Sequence, residues 1–97
     1  MKQLPKAIRN QLISALRDGA DLCSRYWAEG LRVVMETAAK HMEGGQFKGD
    51  PPEIQELMEL LDGYHEFLCE QGHKFLAKET RQLQITIAEA LEEEEGR

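Results

Sequence analysis

Gly44-Gly45-Gln46-Phe47-Lys48-Gly49-Asp50-Pro51-Pro52 is the stretch on which the fold turns: three glycines and two prolines fall within nine residues, and no helix can continue through them. Its end is also a start signal. Asp50 can cap the free N–H groups of a following helix, Pro51 suits the first helical position, and Glu53 falls at the third, where a capping-box carboxylate belongs.

Outward from this corner, apolar and small residues recur at helical spacing on both sides. Upstream, Leu4, Ile8, Leu12, Ala15, Gly19, Leu22/Cys23, Tyr26, Gly30, Val33/Val34, Thr37 and His41 follow steps of three or four and predict one helix over 5–43. Downstream, Ile54, Leu57/Met58, Leu61, Tyr64/His65, Leu68, Gly72, Phe75/Leu76, Glu79, Leu83, Thr86/Ile87 and Ala90 predict a second helix over 51–92. Glu79 is the one charged member of that stripe. The intervening residues 44–50 form the loop. The acidic tail 93–97 is expected to fray, because glutamates at a helix C-terminus oppose its dipole. Each rod would be about 60 Å long at 1.5 Å per residue.

The first expectation is therefore an all-α single domain, an antiparallel two-helix hairpin. A compact bundle of four shorter helices, broken at Asp18-Gly19 or Asp62-Gly63, is the alternative that ordinary helix lengths suggest. In the hairpin, small residues face each other: Gly19 opposite Gly72, Cys23 opposite Cys69, Gly30 opposite Gly63. Beside the main stripe, Ile13, Ala20, Trp27, Leu31, Ala38 and Met42 form a second apolar strip, with Leu60 and Phe67 on the other helix. A second copy of the chain would cover them, giving a homodimeric four-helix bundle, and another protein would serve equally. In outline such a molecule resembles Rop-like helical hairpins, which dimerise into four-helix bundles; the likeness is architectural and implies no function.

Composition fits a small ordered helical protein: 41% apolar and 31% charged residues in 97. No apolar run approaches the roughly 20 residues of a membrane span, and the polar start after Met1 argues against a secretory leader, so a reducing cytoplasmic setting is expected. The net charge of −6 is uneven. Seven Lys/Arg oppose four acids up to Met42, whereas twelve acids oppose four Lys/Arg from Pro51 onward. That asymmetry argues against nucleic acid as a partner.

No nucleophile–base arrangement is visible, so an enzyme is not expected, and neither is a cofactor. Glu70 and His73 have the spacing of a di-iron Glu-x-x-His motif, but both lie off the core face, so no metal is expected. His65 lies in the core stripe near Trp27, with Tyr64 or Tyr26 as its expected hydrogen-bond partner. Cys23 and Cys69 read as small buried residues that oxidation could cross-link if they face each other. Function is expected to reside in protein association, as an adaptor or inhibitor acting through Trp27, Leu31, Leu60 and Phe67. A second expectation is an acidic inhibitor that mimics nucleic acid through Glu56, Glu59, Glu66 and Glu70, of the kind phages and other mobile elements encode against host nucleic-acid-binding enzymes. Third comes a metal-binding helical bundle using His65 and the Glu-x-x-His segment.

Overall fold

Asp50 does cap the helix that follows the corner, its carboxylate accepting from the Glu53 N–H at 3.1 Å, and Glu53 reaches back to accept from the Lys48 N–H at 3.0 Å. The computed structural model describes residues 4–95, without the side chains of 93–95; the basic residue Lys2 and the end of the acidic tail lie outside it. The chain is all-helical, with α1 Lys6–Arg25, α2 Glu29–Glu43, α3 Pro51–Glu70 and α4 Lys74–Glu95. Helix therefore continues through 93–95, where the sequence suggested fraying. Among the described residues, no helix is long and apolar enough to cross a membrane.

Neither expected rod is continuous. The first breaks at Tyr26-Trp27-Ala28 and the second at Gln71-Gly72-His73, and the longest dimension of the molecule, 42 Å, is too short for a 60 Å helix. Both breaks are Schellman turns. Ala28 N–H donates to the Cys23 carbonyl and Trp27 N–H to Ser24; likewise His73 N–H donates to Leu68 and Gly72 N–H to Cys69. The left-handed residue that closes such a turn is Gly72 in one (φ 79°) and Trp27 in the other (φ 62°). The breaks thus fall eight or nine residues beyond the Asp-Gly pairs suspected in the sequence, and Gly19 and Gly63 sit inside unbroken helices.

Each break lets a helix fold back on the one before it. α1 packs chiefly on α2 and α3 on α4, so the layout is two short hairpins in series rather than one long hairpin. The hairpins repeat at an interval of 45 residues. Shifting Lys6–Arg25 by 45 gives the bounds of α3, shifting Glu29 gives the first residue of α4, and shifting Trp27 gives Gly72. Burial repeats as well: Leu12, Leu16, Gly19, Cys23, Met35, Ala39 and Met42 correspond to Leu57, Leu61, Tyr64, Leu68, Thr80, Gln84 and Ile87, all buried. Equivalent positions 19 and 64 touch, since a Cβ on Gly19 would stand 3.0 Å from Tyr64 Cζ and collide with Met35. Equivalent positions of the two halves thus meet, with glycine on one side leaving room for tyrosine on the other.

Equivalent positions on α1 and α3 each make a polar contact to the helix that follows, at different points along it. Arg17 Nε donates to Glu43 at 2.8 Å in the first hairpin. Its equivalent, Asp62, receives Arg81 at 2.6 Å and Gln84 Nε2 at 2.9 Å in the second. Gln84, though buried, also reaches the Met58 carbonyl at 3.1 Å, so its amide is satisfied. The Gln84 hydrogen bond and then Arg81 hold the Asp62 carboxyl below its ordinary range.

The hairpin register of opposed glycines and cysteines is overturned by this arrangement. Cys23 is buried in the α1–α2 core and Cys69 is exposed on α3, with its Sγ 3.8 Å from His65 Nδ1; both thiols are free. Burial raises the Cys23 thiol above its ordinary pKa. Under native conditions a disulfide reagent is expected to titrate one thiol per chain quickly, Cys69, and the second only on unfolding. Two equally reactive thiols would show that α1 does not pack as described.

Candidate functional site

Between the two hairpins, α2 and α3 diverge from the corner and leave a groove of about 420 Å³. Leu57 and Met42, both buried, form its floor with the half-buried Ala38 and Leu60, and Phe47 from the corner closes one end. Val33 and Val34 form the α2 wall and are 50% and 52% exposed. The rim is polar: Thr37 and His41 on α2, Glu53 and Glu56 on α3. His41 Nε2 lies 3.1 Å from Glu53. Burial pushes the Glu53 carboxyl up, but the hydrogen bonds from His41 and from backbone N–H groups of the cap outweigh it and hold the group low. Glu53 therefore stays ionised on the rim.

The sequence-predicted residues divide sharply. Trp27 is 85% exposed at the head of α2, Leu60 lines the groove, and Glu56 stands on its edge. Leu31 and Phe67 are partly buried against the core; Phe67 stacks near Tyr64 at 6.3 Å and meets the Tyr26 ring edge-on at 5.8 Å. They pack within the chain and do not form one external flank with Trp27. Glu59, Glu66 and Glu70 are exposed, like Glu56, and none of the four makes an ion pair among the described residues.

His65 is only half-buried and neighbours Cys69 rather than a tyrosine. The tyrosine contact belongs to His73, whose Nε2 lies 2.7 Å from the Tyr26 hydroxyl, tying the two Schellman turns together. Among the described residues, no three His, Cys, Asp or Glu side chains converge as metal ligands would. A second depression, between α1 and α2, holds charges that are already paired, as Arg32 is with Glu29 and Glu36. No protein family, curated protein or solved structure matches this chain. Function must be read from its own residues.

Val33 and Val34 are among the residues that sequence reasoning misassigned, as are Phe75 and Leu76 of the downstream stripe, which are exposed on α4. The two valines belong to the stripe expected in the core, but the turn at Trp27 shifts the helical phase, so Met35, Ala39 and Met42 face inward and Val33 and Val34 face out. The 45-residue repeat supplies an internal comparison. Positions equivalent to Val33 and Val34 are Lys78 and Glu79, both exposed on α4. Thr37 and His41 correspond to Gln82 and Thr86. The same backbone position thus carries ordinary solvent-facing residues in the second hairpin and apolar ones in the first.

Proposed function

We propose that this chain is a non-enzymatic protein-interaction module that receives a segment of another protein in the α2–α3 groove, with Trp27 as a further exposed aromatic at the head of α2. The observation that carries this reading is the half-exposed Val33-Val34 pair where the equivalent site holds Lys78-Glu79. An apolar face that the fold itself does not require is suited to a partner. Trp27 supports it. A tryptophan in the left-handed region is strained by roughly 1–2 kcal/mol, and glycine fills the equivalent turn position at Gly72. Strain retained in an exposed aromatic is what a binding anchor would leave in the free protein.

The uncovered strip that suggested a homodimer is largely occupied within the chain, because Leu31, Ala38 and Met42 pack into the chain's own bundle. Dimerisation is a proposal that the groove alone would now have to support.

Photo-cross-linking tests the reading. With a photoreactive residue at position 34, a partner from the chain's native cells should be captured in a discrete adduct; at the equivalent position 79 it should not. Equal capture at both positions would remove the groove from consideration.

A further inference from the structure

We infer that the occupant of the groove is an amphipathic helix with an apolar stripe and Lys/Arg along one flank. This rests on the groove being a docking site and adds the chemistry of the partner. The charge of the groove's two walls is the basis. α3 carries six Asp/Glu and no Lys/Arg, and two of the six, Glu53 and Asp62, are engaged with His41 and Arg81. The remaining four, Glu56, Glu59, Glu66 and Glu70, recur at steps of three, seven and four. At 100° per residue they fall within an arc of about 80° on α3, on the solvent side of Leu60; Glu56 lines the groove and Glu59 lies within its length, whereas Glu66 and Glu70 continue the row roughly two and three turns beyond Leu60. The α2 wall presents Val33, Val34 and Thr37, which carry no charge, and His41, which is already engaged with Glu53.

Such a cleft is apolar within and negative along one edge. A helix fits its shape, since residues at i, i+3, i+4 and i+7 present a continuous apolar row to a groove between two helices. Basic residues on the α3-facing flank would meet carboxylates that have no ion-pair partner among the described residues, whereas acidic ones would be repelled. On the α2-facing flank the structure sets no charge preference.

The test uses the full chain and two fluorescein-labelled synthetic 18-residue helical peptides, identical in their leucine stripe, one flanked by lysines and the other by glutamates. Binding is followed by fluorescence anisotropy. The lysine peptide is expected to bind at least tenfold more tightly than the glutamate peptide, with the advantage shrinking as salt rises. The Glu56→Lys/Glu59→Lys variant should invert that preference. Val34→Asp should weaken the lysine peptide at least tenfold despite adding a negative charge.

Equal binding of the two peptides, both lost in Val34→Asp, would overturn the basic partner and leave the groove reading standing. Lysine-peptide binding indifferent to Val34→Asp would mean charge on α3 acts alone, which overturns both. A dimer in light scattering that Val34→Asp dissociates would give the groove to a second copy, and binding of neither peptide would likewise overturn the inference.

Discussion

Met35→Ala is expected to cost about 2–5 kcal/mol of unfolding free energy, the usual penalty for truncating a fully buried methionine. Val34→Ala, one residue away, is expected to change stability by less than about 0.5 kcal/mol, since its side chain is half-exposed and alanine is the better helix former. Met35 touches the α1 core at Cys23, with the sulfurs 4.0 Å apart, and lies over Gly19 where α1, α2 and α3 converge. Urea unfolding of the two variants reads the contrast directly. A large loss at Val34 with little at Met35 would mean that α2 is rotated and that the valines face the core, as one continuous helix would require.

Trp27→Gly should act in opposite directions on stability and on binding. Replacing a left-handed tryptophan relieves roughly 1–2 kcal/mol of backbone strain, and the greater freedom of glycine in the unfolded chain returns about 0.5–1 kcal/mol. A net gain of about 1 kcal/mol is expected, readable as a higher thermal midpoint. Little packing is lost, because the indole is 85% exposed. If Trp27 anchors a partner, the same substitution should weaken that complex by about 2 kcal/mol or more. Gly72→Ala is the mirror control: at φ 79° a side chain is strained, so that variant should be less stable than the parent.

Alkaline pH probes the contact between the hairpins at Tyr64. Burial, with the neighbouring Cys23 and Asp18 charges adding to it, pushes the Tyr64 hydroxyl up to about 12, against roughly 10 in an unfolded chain. The unfolded state therefore releases this proton first. Stability from Tyr64 is intact below pH 10 and falls as pH rises from about 10 to about 12, by at most about 1.4 kcal/mol per pH unit. Tyr64→Phe should lose that decline while keeping the others, measured as urea midpoints across the interval.

The corner, its cap and the helical class were legible because glycine, proline and the Asp50-to-Glu53 spacing act locally. The buried stripe of α3 was also legible: Leu57, Leu61, Tyr64 and Leu68 lie inward as their spacing requires. The turn at Trp27 was not, since Arg25-Tyr26-Trp27-Ala28 contains no residue that stops a helix. There the chain breaks because folding back lets Met35, Ala39 and Met42 join Leu12, Leu16 and Cys23 in one core. Gly72 did carry a turn signal, but a glycine on an apolar stripe also reads as a close-packing site.

Polar residues in the stripes marked the error. Thr37 and His41 upstream, and Glu79 downstream, are all exposed; the true inward row of α4 runs through Ala77, Thr80, Gln84 and Ile87. The groove was half-legible for the same reason. Leu60 and Glu56, which line it, stood out from their positions, whereas Val33 and Val34 were hidden within a phase that only the turn reveals.

Val33 and Val34 face outward and are not needed by the fold, which leaves them to a partner. The unfolding free energy of the Val33→Lys/Val34→Glu variant, which gives the first hairpin the residues of the second, decides whether the fold can spare them. A value within about 1 kcal/mol of the parent is expected for solvent-facing positions. A loss of about 2 kcal/mol or more would contradict it, placing the two valines in the core.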